Sequence, residues 1–169
     1  MRTGFLRVLA LVPALALAGE VPIATQEFRD QHGNVDALVR YAGAPVVAMV
    51  VGVKRLAMIE AWERDLAARV PGLRFLNVAD LPRDVPVDLE RTALTLRKRV
   101  PPGVNVLLDP AGAWAGTFAL DTTLPNLLVF GPDGALVARF RGRWSEPLAA
   151  EVAAAVMAGA TPWPLPSRA

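Results

Sequence analysis

Residues 46–51 read Val-Val-Ala-Met-Val-Val, apolar at every position. A strand with one wet face alternates apolar and polar residues, so a run without alternation must be covered on both faces. That requirement confines the chain to architectures that place helices over both sides of a sheet. Gly43-Ala44-Pro45 breaks the chain just before the run, and the pattern after it is helical. Between Lys54 and Val70, the residues Leu56, Ile59, Trp62 or Glu63, and Leu66 share one side, and Pro71-Gly72 ends the segment.

The alternation then repeats. Residues 73–79 form a second apolar strand, 80–86 a loop with two prolines, and 87–100 a helix. The closing Arg97-Lys98-Arg99 of that helix suits the negative end of its dipole. Residues 104–108 are a third strand and 111–118 a short helix. Strands at 127–130 and 136–140 are joined by Gly131-Pro132-Asp133-Gly134, a hairpin signal because Asp-Gly takes the positive φ a tight turn needs. An alanine-rich helix over 146–157 closes the unit. At the other end, residues 28–38 carry Asp30-Gln31-His32-Gly33-Asn34 between short apolar segments, the pattern of an initial hairpin. The expectation is one α/β domain with a mixed central sheet, a C-terminal antiparallel hairpin and an added N-terminal hairpin.

The flanks read differently. Arg2 and Arg7, the apolar run over 8–18, and Ala16-Leu17-Ala18 have the layout of a secretory signal, too short to anchor in a bilayer. The expected division is a signal peptide over 1–18, a domain over 19–160 and a proline-rich tail over 161–169. An exported, periplasmic protein without a stable membrane anchor follows. The chain has 18 Lys and Arg against 16 Asp and Glu; without Arg2 and Arg7 the charges balance. The pI of 9.7 is therefore no argument for a nucleic acid or an anionic membrane as partner. There is no cysteine. No disulfide can staple the domain, and the chain alone cannot perform thiol–disulfide exchange or cysteine peroxidase chemistry.

Two stretches carry a family resemblance. "FRDQHGNVDALVRYAGAPVVAMVV" is similar to the opening of thioredoxin-like proteins of the redoxin type, with an Asp-x-x-Gly turn and a Gly-x-Pro lead into the first buried strand. "VNVLLDPAGAWAGTFALDTTLPNLLVFGPDGALVARFRG" resembles their second half, as in exported TlpA-like proteins. The resemblance implies a three-layer α/β/α sandwich and a cis peptide bond at Leu124-Pro125, in a loop that pairs with extended substrates. It also places the redox motif in "VVGVKRLAMIEAW", with Val53 and Leu56, or one residue later Lys54 and Ala57, at the two cysteine positions. Neither register supplies a thiol, so no catalytic residue carries over. The "LDPAGAWAGTFALD" segment looks like the YtfJ-type branch, which is similar in lacking these cysteines.

Other chemistry has little support in the sequence. His32 is the single histidine and lies in a turn, where a solvated side chain is the ordinary outcome; no metal site and no cofactor are expected. Asp80, Asp84, Asp88 and Glu90, like Glu60, Glu63 and Asp65, read as helix caps and solvated faces rather than an acid/base pair. Arg139, Arg141 and Arg143 alternate onto one face of the last strand, where charge protects a sheet edge. Trp163 in "TPWPLP" suits packing on the parent domain. The functional expectation is a non-catalytic module that binds a protein or peptide partner in the envelope. Its groove would lie between Val53, Lys54, Arg55 and Leu56 on one side and Thr123, Leu124 and Pro125 on the other. The alternatives are an oxidoreductase working with a partner's thiol and a structural envelope protein.

Overall fold

The computed structural model describes residues 22–160, so the expected signal peptide over 1–18 and the proline-rich tail over 161–169 lie outside the described residues. The elements are β1 (Phe28–Asp30), β2 (Val35–Asp36), β3 (Val46–Gly52), α1 (Ile59–Arg69), β4 (Arg74–Asp80), α2 (Leu89–Arg99), β5 (Val106–Asp109), α3 (Ala113–Phe118), β6 (Asn126–Phe130), β7 (Leu136–Arg141) and α4 (Glu146–Ala160). Short 3-10 turns occupy Leu38–Tyr41 and Val53–Met58.

One seven-stranded sheet runs in the order β2-β1-β5-β4-β3-β6-β7. β3, β4 and β5 are parallel neighbours, and β6 and β7 continue the sheet antiparallel. The N-terminal hairpin adds β1 antiparallel to β5. The apolar run explains the centre. Every residue from Val46 to Val51 is buried, with Val47, Met49 and Val51 against α1 and α4. Val46, Ala48 and Val50 point the other way, into a cluster with Leu38 and Trp114. α2 lies on the α1 side, where Leu96 meets Ala79, Val106 and Leu108. The layers are those of an α/β/α sandwich.

Local chemistry accounts for the ends. The Asp30 carboxylate accepts from the amides of His32 and Asn34, both at 2.8 Å, and from the Asn34 side chain at 2.9 Å, which folds the first hairpin. Gln31, almost fully buried, extends the sheet with its own amide: Nε2 donates to the Val104 carbonyl and Oε1 accepts from the Val106 amide, each at 2.8 Å. His32 itself is exposed, as expected of a turn residue. The helix expected from Lys54 begins only at Ile59. No side chain caps Gly52 or Met58, and an uncapped start tightens into a 3-10 turn.

Candidate functional site

The C-terminal ends of the parallel strands bring Gly52, Asp80 and Asp109 into line, because Gly52 pairs with Asp80 and Asp80 with Asp109. Each has a distinct task. The Gly52 amide donates to the Thr122 carbonyl at 2.8 Å, and a Cβ at Gly52 would lie 3.2 Å from that oxygen. A residue without a side chain lets the two backbones approach this closely without crowding. Asp109 is fully buried and accepts from the Ala113 amide at 3.0 Å and the Trp114 amide at 2.9 Å, which starts α3. Asp80 is 7% exposed, and its two oxygens take Arg83 Nη1 at 2.8 Å and Thr122 Oγ1 at 2.6 Å. A carboxylate this dry must be hydrogen-bonded and paired, and it is both.

These contacts join three segments around a groove of about 540 Å³: the Gly52–Arg55 turn, the Asp80–Asp84 exit from β4, and Thr122-Thr123. Lys54 and Arg55 are exposed on its rim and form no ion pair among the described residues. Asp84 is the exposed acid there, and Arg83 is already engaged by Asp80. The mouth therefore presents more free positive than negative charge.

The 118–125 loop is fixed from the β7 side. Arg139 donates to the Phe118 carbonyl, and Arg141 to the Asp121 carboxylate, the Asp121 carbonyl and Thr123 Oγ1. Hydrogen bonds from the Thr123 hydroxyl and amide, with the Arg141 guanidinium beside them, hold the Asp121 carboxyl below the usual carboxylate range. Arg139 and Arg141 are thus loop anchors, a role the edge-protection reading did not anticipate.

Of the residues expected to form the groove, Val53, Lys54, Arg55 and Thr123 meet there. Leu56 faces away, into a neighbouring crevice beneath α2. Leu124 and Pro125 do not line the groove: Pro125 is buried, and its carbonyl accepts from the Gly142 amide at 3.0 Å. The expected cis bond is a correction: no described peptide bond is cis, so Leu124-Pro125 is trans. Pro125 immediately precedes β6, a strand-start position where a missing N–H costs no ladder bond.

Asp80 corrects a second expectation. It is neither a cap nor a solvated acid, although Asp88 does cap α2 by accepting from the Arg91 amide at 2.9 Å. Its signal in the sequence was its place directly after an apolar strand, three residues before Arg83. Asp84 and Asp88 are exposed; Asp80 is bonded to Arg83 and Thr122, while Asp109, its register partner on β5, is bonded to the Ala113 and Trp114 amides. Among the described residues, no three His, Asp or Glu side chains cluster as metal ligands.

No family model matches the sequence, and no curated protein matches it either. Solved structures do match by shape. The pneumococcal exposed lipoprotein thioredoxin Etrx1 of Streptococcus pneumoniae is 17% identical with a TM-score of 0.61, over 76% of this chain and 97% of that one. A secreted Mycobacterium tuberculosis disulfide oxidoreductase homologous to E. coli DsbE is 15% identical with a TM-score of 0.55, over 79% and 95%. DsbF of MTB is 21% identical with a TM-score of 0.59, over 83% and 99%. The chain has a thioredoxin-like fold, without a cysteine anywhere in its sequence.

Proposed function

We propose that the protein is a non-catalytic binding module of the cell envelope. It holds an extended, acidic protein or peptide segment in the groove formed by Gly52–Arg55, Asp80–Asp84 and Thr122-Thr123. One observation carries the reading. A buried carboxylate, a close glycine and an arginine-anchored loop are spent on fixing this groove, in a chain that has no thiol to serve. The rim cations Lys54 and Arg55 have no ion-pair partner among the described residues and are free to meet carboxylates. The envelope location rests on the signal-like N-terminal sequence and on neighbours described as an exposed lipoprotein and a secreted protein.

The test is an array of extended peptides of graded charge, probed with the wild-type protein and with a Lys54→Glu/Arg55→Glu variant. Acidic peptides are expected to bind the wild type in a salt-dependent manner and to lose binding to the variant. Equal binding of acidic and basic peptides, or an unchanged profile for the variant, refutes the groove. The shared fold with disulfide oxidoreductases supports a second reading, an oxidoreductase that borrows a partner's thiol. Insulin reduction that appears only when a thiol-bearing partner protein is added would favour it.

A further inference from the structure

α2 is thinly seated on the sheet. Of its residues only Leu96 is buried, and a crevice of about 660 Å³ runs between it and the Val53–Met58 turn at the start of α1. That volume falls within the roughly 300–1,000 Å³ of small-molecule sites. Its walls are mainly apolar, built from residues such as Leu56, Leu81, Val87, Leu96 and Val106. Two threonines of α2 also face it, with their hydroxyl protons already engaged. Thr92 Oγ1 donates to the Asp88 carbonyl at 2.8 Å and Thr95 Oγ1 to the Arg91 carbonyl at 2.9 Å, so both hydroxyls are turned back into the helix.

The charges of the crevice are unevenly placed. Its acids, Asp88 and Glu60, both follow the C-terminal ends of parallel strands, as does Lys54, with Arg91 in the first turn of α2; none of the four forms an ion pair among the described residues. Asp88 is further committed as the cap of α2. The far end, near Pro101 and Val104 ahead of β5, holds Arg99 as its only charged lining residue. Arg99 forms no ion pair among the described residues, and exposed Arg97 and Lys98 precede it in sequence. A long apolar slot that ends on an unpaired guanidinium is complementary to one chemistry.

We infer that this crevice is a binding site for a single-chain amphipathic anion, such as an alkyl carboxylate. The chain would lie under α2 and the carboxylate on Arg99. The site is separate in purpose from the groove, although Val53, Lys54, Leu81 and Pro82 line both.

Dodecanoate is the probe, titrated into the full chain below its micelle concentration by calorimetry, with dodecanol as the uncharged control. Saturable one-to-one binding of dodecanoate, at least tenfold tighter than dodecanol, is expected. Arg99→Gln should weaken dodecanoate about tenfold and leave dodecanol unchanged, as expected for a lost charge-assisted hydrogen bond. Thr95→Trp, at an exposed helix position, should fill the slot and abolish both while the circular dichroism spectrum stays native. Equal affinity for the alcohol, or undiminished binding by Thr95→Trp, overturns the inference. So does dodecanoate binding that appears only in a Trp163→Ala variant, which would mean that the chain's own tail fills the slot.

Discussion

Replacing Thr122 by Val tests whether the buried carboxylate holds the groove together. Valine keeps the β-branched shape and the Gly52 amide to Thr122 carbonyl bond, which is made by backbone atoms. What disappears is one hydroxyl donor, 2.6 Å from an Asp80 oxygen in a side chain that is almost fully buried. A hydrogen bond to a charged group contributes about 1.5–3 kcal/mol net. Water can replace little of it, since Asp80 is only 7% exposed. For a domain of this size each kcal/mol moves Tm by about 2–4 °C, so the expected fall is roughly 3–12 °C. Urea unfolding followed by tryptophan fluorescence should show a lower midpoint with an unchanged slope. A cycle with Asp80→Asn should give a coupling of about 1 kcal/mol or more, because the two side chains touch directly. A Thr122→Val cost below about 0.5 kcal/mol, the range of an ordinary surface change, refutes the reasoning. Strict additivity in the cycle would do the same.

Three further outcomes follow from the structure. Tyr41 is the single tyrosine, so its phenolate absorbance can be titrated alone. Burial, then the hydrogen bond to Asp36 and that carboxylate's charge, raise its pKa beyond the ordinary value of 10, against the weaker opposite pull of Arg74. Because the folded pKa is raised, its share of the stability is complete below pH 10 and is lost as the pH climbs further; phenolate appearing at pH 10 with the fold intact would contradict this. Gly112 has φ +67, and a Cβ there would sit 1.6 Å from Arg83 Nη1. Gly112→Ala should therefore cost about 1–2 kcal/mol for the left-handed backbone plus the Asp80–Arg83 pair, and an Arg83→Ala background should remove only the second part. Asp109→Ala should cost about 2–4 kcal/mol by urea unfolding, since it strands two amides at the start of a helix whose aspartate is fully buried; a smaller effect than that of Thr122→Val would overturn this ranking.

The sequence by itself determined the architecture. An unbroken apolar strand had to be covered on both sides, helical and strand periods alternated after it, and Asp-Gly and Pro-Gly stops fixed the element order, all of which are local properties of the chain. It also determined that no thiol chemistry belongs to this chain, because composition alone decides that. The tertiary structure decided which side chains share the groove. Val53, Lys54, Arg55 and Thr123, named from the family resemblance, were placed in it. Leu56 was not, since which side of the 3-10 turn faces the groove depends on an uncapped start that spacing does not encode. Asp80 was hidden for a deeper reason. Its partners Arg83 and Thr122 are 3 and 42 positions away. Only parallel pairing of β3 with β4, and the return of the loop before β6, bring a donor across that separation to a carboxylate that burial leaves no water to satisfy.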